Sequence, residues 1–237
     1  MKIWGIIPAR FKSSRFPGKL LEKIENKPII SWVIENSLKA KKIDNLAVAT
    51  DDERIYNIAK SYGIDVFMTP ESLNSGTERI KYVIKNKNNI DGIVNIQGDE
   101  PLIDPDLIDE LAESLKHYKI STAATFSSSE EEYYNPNIVK VVFDKNDNAL
   151  YFSRSPIPYY RKTNFDGFWK HIGIYAYRRD ILLQSNNRSS LEDKEKLEQL
   201  SFLENGISIK IIKTDYKGIG VDVKEDIEKI KALLKKG

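Results

Sequence analysis

The feature that most constrains this chain is an alternation in its first half, where short β-rich apolar runs are separated by amphipathic helical segments. Residues 3–7, 46–49, 65–68 and 92–96 read as strands, and residues 28–39, 53–62 and 76–85 read as helices between them. Within the first helix Ile29, Ile30, Val33, Ile34 and Leu38 recur at helical spacing, and Gly63 closes the second. Helices of about 10–12 residues set between strands imply βαβ units and a largely parallel sheet. Ligands of such sheets bind beyond the carboxyl ends of the strands. The polar loops at residues 8–19, 50–53 and 97–101 each follow a predicted strand, so they are expected on one face.

The second half changes character. Residues 121–126, 138–144 and 149–152 read as strands, the last after a turn at residues 145–148. Residues 155–169, with Pro156, Pro158 and Gly167, form an excursion, and residues 172–177 return as a strand. A helix is expected over 191–203, a strand over 207–213 and a closing helix over 224–235. The class is α/β with a mixed sheet.

Composition excludes several chemistries. No cysteine is present, which removes disulfides, thiolate nucleophiles, iron–sulfur clusters and cysteine-held zinc. His117 and His171 are the two histidines, too few for a three-histidine site. A metal here would need oxygen ligands, which favours Mg2+ over zinc. Lys+Arg 37 against Asp+Glu 35 gives a formal charge of +2, so no basic stripe calls for nucleic acid. No apolar run reaches the roughly 18 residues of a membrane span, and the N-terminal run is too short for a signal peptide. A cytoplasmic location with no membrane partner is expected.

Three loops and two later segments hold chemistry-bearing residues. The stretch Pro8-Ala-Arg-Phe-Lys-Ser-Ser-Arg-Phe-Pro-Gly-Lys19 carries four cations and two hydroxyls, without Walker or Rossmann spacing. It suits a polyphosphate clamp or a solvated basic loop, and Pro17-Gly18 would turn Lys19 back over the strand end. Ser75 and Glu78 read as a capping box, which leaves Arg79 unexplained. In Gln97-Gly-Asp-Glu-Pro101 an acidic pair follows a buried strand, where a carboxylate needs a cation. Asp222 is either the cap of the closing helix or, if it meets Asp99, half of a two-carboxylate magnesium site. His171 and Glu198-Gln199 carry no functional signal unaided.

Together these segments resemble the 3-deoxy-manno-octulosonate (Kdo) cytidylyltransferases. The resemblance rests on Ile6-Ile-Pro-Ala-Arg10, Ser14-Arg-Phe-Pro-Gly-Lys19, Ala49-Thr-Asp51, Ser75-Gly-Thr-Glu-Arg79 and Asn95-Ile-Gln-Gly-Asp-Glu-Pro101. It continues through Asn135-Pro-Asn-Ile-Val-Lys-Val-Val142, Ala149-Leu-Tyr-Phe-Ser-Arg154, His171-Ile-Gly-Ile-Tyr175, Leu197-Glu-Gln-Leu200 and Gly220-Val-Asp222.

The resemblance implies a nucleotide-diphospho-sugar transferase-like three-layer α/β fold with a mixed, mostly parallel central sheet. It implies one cytidylyltransferase domain over residues 1–237, with a smaller dimerisation and sugar-binding portion around residues 150–190. It further implies transfer of CMP from CTP to Kdo with release of pyrophosphate, as a homodimer on the way to lipopolysaccharide. Pro8, Ala9, Arg10, Lys19, Ser75, Arg79 and Gln97 would bind the nucleotide, with Lys19, Asp99, Arg10 and Arg15 as the catalytic set. Asp99 and Asp222 would ligate Mg2+, and Arg154, His171, Tyr175, Glu198 and Gln199 would line the sugar-acid pocket.

The chain departs from the family pattern at Phe16 (commonly leucine), Ser201 (usually arginine), and Ile219 and Val223 (often threonine). An 8-amino-8-deoxy form of Kdo therefore stays open as the acceptor. Sialate-type relatives share the N-terminal loop but are disfavoured by Phe152-Ser-Arg154 and His171-Ile-Gly-Ile-Tyr175. A metal-dependent glycosyltransferase is an alternative of another class, although its Asp-X-Asp sequence is missing from residues 97–101. A silent nucleotide-binding module is a third, although Lys19, Asp99 and Asp222 are all retained.

Overall fold

The computed structural model describes residues 1–12, 16–161, 164–184 and 189–235. Along the chain run β1 (Ile3–Ala9), a 3-10 turn (Lys19–Leu21), β2 (Lys23–Ile24), β3 (Lys27–Pro28), α1 (Ile29–Ser37), β4 (Asn45–Thr50), α2 (Glu53–Ser61), β5 (Asp65–Met68), α3 (Gly76–Ile84), β6 (Gly92–Asn95) and α4 (Pro105–Ser114). Then come β7 (Ile120–Ser127), α5 (Glu130–Tyr134), β8 (Lys140–Phe143), β9 (Ala149–Ser153), β10 (Phe168–Arg178), α6 (Arg179–Gln184), α7 (Ser190–Glu195), α8 (Gln199–Glu204), β11 (Lys210–Lys213) and α9 (Lys224–Leu234). The chain forms two compact units, residues 1–113 with 218–237, and residues 114–217.

In the first unit β6, β1, β4 and β5 lie side by side and parallel, as the alternation requires. Ile6 and Ile7 of β1 and Ala47, Val48 and Ala49 of β4 are fully buried, which is why these strands read as unbroken apolar runs. α2 packs on β4 and β5, and α3 on β1 and β4. β1 runs two residues beyond the expected strand, carrying Pro8 and Ala9 into register with Ala49 and Thr50. Proline is tolerated there because β6 pairs with β1 only as far as Ile6, so no ladder bond on that side is lost. α4 is not among the helices expected from the alternation, although Leu107, Ile108, Leu111 and Ala112 repeat at helical spacing and are buried.

In the second unit β7 pairs antiparallel with β10 and parallel with β11, and β8 pairs antiparallel with β9 and β10. The mixed α/β class expected from the sequence holds. Residues 150–190 lie within this unit. β10 is longer than the predicted 172–177 strand, and its register with β7 shifts between Ile172 and Tyr175.

Two further expectations are corrected. The single helix over 191–203 is two short helices, because Lys196 takes a left-handed conformation (φ 54) that ends α7. The strand over 207–213 is paired only from Lys210 onward. Among the described residues no helix is long and apolar enough to cross a membrane.

Candidate active site

In the first unit the loop after β1 meets both other strand-end loops, through Phe11 N on Asp51 and through Pro8 against Gly98, and Gly76 closes on Pro8 as well. A Cβ on Gly76, the first residue of α3, would lie 3.0 Å from Pro8 Cγ, and one on Gly98 would lie 3.1 Å from the Pro8 carbonyl. Both positions therefore need glycine for close approach, and both belong to segments singled out from the sequence.

The loop after β1 is tied down at its ends. Phe11 N donates to Asp51 Oδ1 at 2.9 Å, and Gly18 N donates to the Phe11 carbonyl at 3.0 Å. Gly18 has φ 73, a left-handed value that glycine adopts without strain. Arg10 is exposed, with Nη1 donating to the Asn74 carbonyl at 3.2 Å, next to Ser75. Arg15 lies outside the described residues.

Lys19 follows that turn, and its ammonium is the centre of the site. Nζ lies 2.5 Å from Asp99 Oδ2, 2.7 Å from the Val221 carbonyl and 3.5 Å from Asp222 Oδ1. Val221 N in turn donates to the Asp99 carbonyl at 2.9 Å, so the two acidic loops are joined through their main chains as well. Asp99 and Asp222, far apart in the chain, thus face one cationic nitrogen. The cap of α9 is supplied by Asp226, whose Oδ2 accepts from Asp222 N and Val223 N at 3.0 and 3.1 Å.

Ser75 caps α3, accepting from Glu78 N at 3.2 Å. The return arm differs from the expected box, since Glu78 Oε2 accepts from Asn74 N at 2.7 Å. Arg79 is buried and salt-bridged to Asp51 at 2.9 Å, their side chains 1% and 5% exposed, and it also donates to Thr69 Oγ1. The same Asp51 holds Phe11 N, so Arg79 braces the base of the cationic loop. Gln97 is half-buried at the end of β6.

Two hard carboxylate donors converging on the nitrogen of a lysine fit a magnesium ion, which is held by one or two carboxylates with phosphate and water completing its shell. Among the described residues no group of three or more His, Cys, Asp and Glu could hold a metal, so phosphate and water would have to supply the remainder.

The second unit brings together a different set. His171 and Tyr175 flank the register shift in β10, and their ring centroids are 5.4 Å apart. Residues four apart in a regular strand would be separated by roughly 13 Å, so the bulge is what makes them neighbours. The Thr122 hydroxyl sits within the bulge, 2.7 Å from the Ile174 carbonyl, 3.2 Å from the Ile172 carbonyl and 2.9 Å from His171 Nε2. Its one proton goes to a carbonyl, so Nε2–H of His171 donates to the hydroxyl and Nδ1 is left as an acceptor.

Burial pushes the His171 pKa down to about 3, so the ring is neutral at ordinary pH. Burial, and after it the charge of Glu198, hold the Tyr175 phenol far above its usual value. Glu198 itself is exposed, and Gln199 is 5% exposed with Nε2 lacking a partner among the described residues. A buried amide donor left unpaired in the protein is a place for a ligand acceptor.

Arg154 is anchored by Nε to the Glu195 carbonyl at 2.8 Å and by Nη1 to the Pro136 carbonyl at 3.1 Å. The carboxylate of Glu195 accepts from Ser153 Oγ at 2.6 Å and from Arg154 N at 2.9 Å. Glu195 carries no sequence signal of its own. It is made available by the helix break at Lys196, which frees the last carbonyls of α7.

Residues 4–212 match the cytidylyltransferase family. The 3-deoxy-manno-octulosonate cytidylyltransferase of Fusobacterium nucleatum is 47% identical over 235 residues, covering 97% of this chain and 96% of its own length. That of Solibacter usitatus is 45% identical over 240 residues, covering 99% and 95%. A solved CMP:2-keto-3-deoxy-manno-octonic acid synthetase complexed with CTP superposes with a TM-score of 0.94 at 38% identity, covering 100% of this chain and 99% of that one.

Proposed function

The chain belongs to the cytidylyltransferase family, and on that premise we propose that it transfers CMP from CTP to the anomeric hydroxyl of Kdo, giving CMP-Kdo and pyrophosphate. The observation that carries this reading is Lys19 held between Asp99 and Asp222 at the meeting point of the strand-end loops. A lysine set between two acids beside a cationic loop is suited to a polyanion whose charge shifts during reaction.

In this reading the cytosine and ribose lie against Pro8, Ala9, Ser75 and Gln97, with Arg79 bracing the loop through Asp51. Arg10, Arg15 and Lys19 neutralise the triphosphate. The oxygen of the sugar's anomeric hydroxyl forms a bond to the α-phosphorus in line, the bond from that phosphorus to the leaving oxygen breaks, and the hydroxyl proton passes to solvent. Lys19 and the arginines stabilise the pyrophosphate as it departs, so the protein needs no nucleophile of its own. When bound at Asp99 and Asp222, Mg2+ would supply Lewis-acid stabilisation of the phosphate oxygens and lower the pKa of the attacking hydroxyl.

The acceptor is an acid rich in hydroxyls. Arg154 suits its carboxylate, Nδ1 of His171 accepts from a hydroxyl, and Tyr175 and Gln199 donate. Ser201, whose Oγ donates to the Glu198 carbonyl at 2.7 Å, lies next to these groups in the chain and keeps the 8-amino sugar in the test. A homodimer, a cytoplasmic location and a product destined for lipopolysaccharide complete the proposal.

Pyrophosphate release from CTP and Mg2+ tests it, with Kdo, 8-amino-8-deoxy-Kdo and sialic acid as acceptors. Kdo is expected to give the highest kcat/KM. Pyrophosphate with none of the three would overturn the reading, and consumption of a CMP-sugar donor instead would move the chain to the glycosyltransferases.

A further inference from the structure

Lys140 is fully buried and lies outside the nucleotide and sugar-acid residue sets. It opens β8, in register with Ser153 of β9 and Lys170 of β10. Its Nζ donates to three main-chain carbonyls, those of Asn135 (2.7 Å), Ile138 (2.8 Å) and Arg154 (2.8 Å). An ammonium has three donors, and here each has an acceptor. Among the described residues no carboxylate forms a salt bridge with it, and Glu195 acts on it only through its charge. A lysine desolvated in this way is costly, and an apolar side chain would serve the strand better, unless the three carbonyls need the cation to hold them inward.

Those carbonyls lead to one side chain. Lys140 holds the main chain of Arg154 by its carbonyl, while Glu195 holds it by its N–H at 2.9 Å. It also ties down residues 135–138, and that stretch includes Pro136, whose carbonyl accepts from Arg154 Nη1 at 3.1 Å. The root of Arg154 and one of the two carbonyls that orient its guanidinium therefore depend on the same ammonium.

We propose that Lys140 is a positioning residue for the acceptor site, aiming the Arg154 guanidinium at the carboxylate of the sugar acid. This rests on Arg154 being the group that binds that carboxylate. Aligned in advance, the planar fork of the guanidinium meets a carboxylate through parallel hydrogen bonds without first losing rotamer freedom.

The test is a double-mutant cycle on the full chain, read as KM for Kdo, KM for CTP and kcat, with folding monitored by circular dichroism. Lys140→Met should raise KM for Kdo about tenfold while KM for CTP stays within about twofold, the coupling expected of residues in one hydrogen-bond network. Lys140→Met combined with Arg154→Ala should be no worse than Arg154→Ala alone. Equal changes in both KM values, or effects that multiply in the double variant, would reduce Lys140 to a structural lysine. If Lys140→Met does not fold, Lys140→Arg keeps the charge but cannot place three donors on the same carbonyls, and it should show the same split. Unaltered kinetics in the folded Lys140→Arg protein would overturn the proposal. An Arg154→Ala protein with normal KM for Kdo would instead refute the role given to Arg154, a distinct result.

Discussion

The candidate site residues of the two units are handled by opposite means. In the first, charge meets charge: Lys19 faces Asp99 and Asp222, and Arg79 faces Asp51. In the second, the groups proposed for the acceptor are, apart from the exposed Glu198, either neutral or held by main-chain carbonyls. His171 is uncharged through burial, Tyr175 keeps its proton, and Lys140 and Arg154 lean on carbonyls. A triphosphate brings several negative charges and requires mobile compensation, whereas a sugar acid brings one charge and many hydroxyls. The contrast is what the proposed function asks for: charge compensation around a nucleotide and fixed hydrogen-bond geometry around an acceptor.

The sharpest way to break this comparison is to unpair the buried charges of the first unit. Arg79→Met leaves Asp51 buried without its cation and should cost about 3–5 kcal/mol of folding stability, measured by urea denaturation. A loss below 1 kcal/mol would mean that the pair does not brace the cationic loop. Next in size, Asp99→Ala should lower kcat by about a hundredfold or more, the scale for removing one preorganised electrostatic contact. Near-normal turnover would remove Asp99 from the mechanism.

A third prediction addresses the second unit. The native pKa of His171 lies near 3, below its unfolded value of about 6.5, so the unfolded chain binds the extra proton between those values. Stability from this residue is complete above pH 6.5 and falls as the pH drops towards 3. Between pH 7 and pH 5 the loss should reach at most about 2 kcal/mol, and His171→Gln should abolish that share of it. Identical pH profiles for the two proteins would show that the imidazole is not held neutral.

The smallest effect separates Lys19 from the metal it is expected to work beside. Because its ammonium occupies the two carboxylates, nucleotide-free Lys19→Met should bind Mn2+ on the order of tenfold tighter than the wild type, by electron paramagnetic resonance. Its KM for CTP should rise at the same time. Unchanged Mn2+ affinity would mean that lysine and cation do not compete for those oxygens.

Much of the first unit is legible in the sequence because β1, β4 and β6 are buried on both faces and its helices carry apolar spacing of 3.6. The shared face of the loops at residues 8–19, 50–53 and 97–101 follows from strand direction alone. Whether Asp222 caps its helix or shares a cation with Asp99 is not legible, since Lys19 joins the two across residues with no local signal between them. The second unit is harder to read. A left-handed lysine at position 196 defeats the periodicity of Leu191, Leu197, Leu200 and Leu203, because glycine is the usual marker of such a stop. The bulge that pairs His171 with Tyr175 has no sequence signature beyond Gly173. Lys140 looks like a surface lysine until its three carbonyls are seen. α4 was within reach, since Asp104-Pro105 followed by Leu107, Ile108 and Leu111 is a helix start with a periodic face.

The first unit is discontinuous: its last stretch, residues 218–237, joins it only after the whole second unit has been made. Lys19 therefore waits 203 residues for Asp222. During synthesis Lys19 and Asp99 emerge long before Asp222, so the three groups come together only when the closing stretch returns to the first unit. Completion of this cluster thus depends on the final segment of the chain.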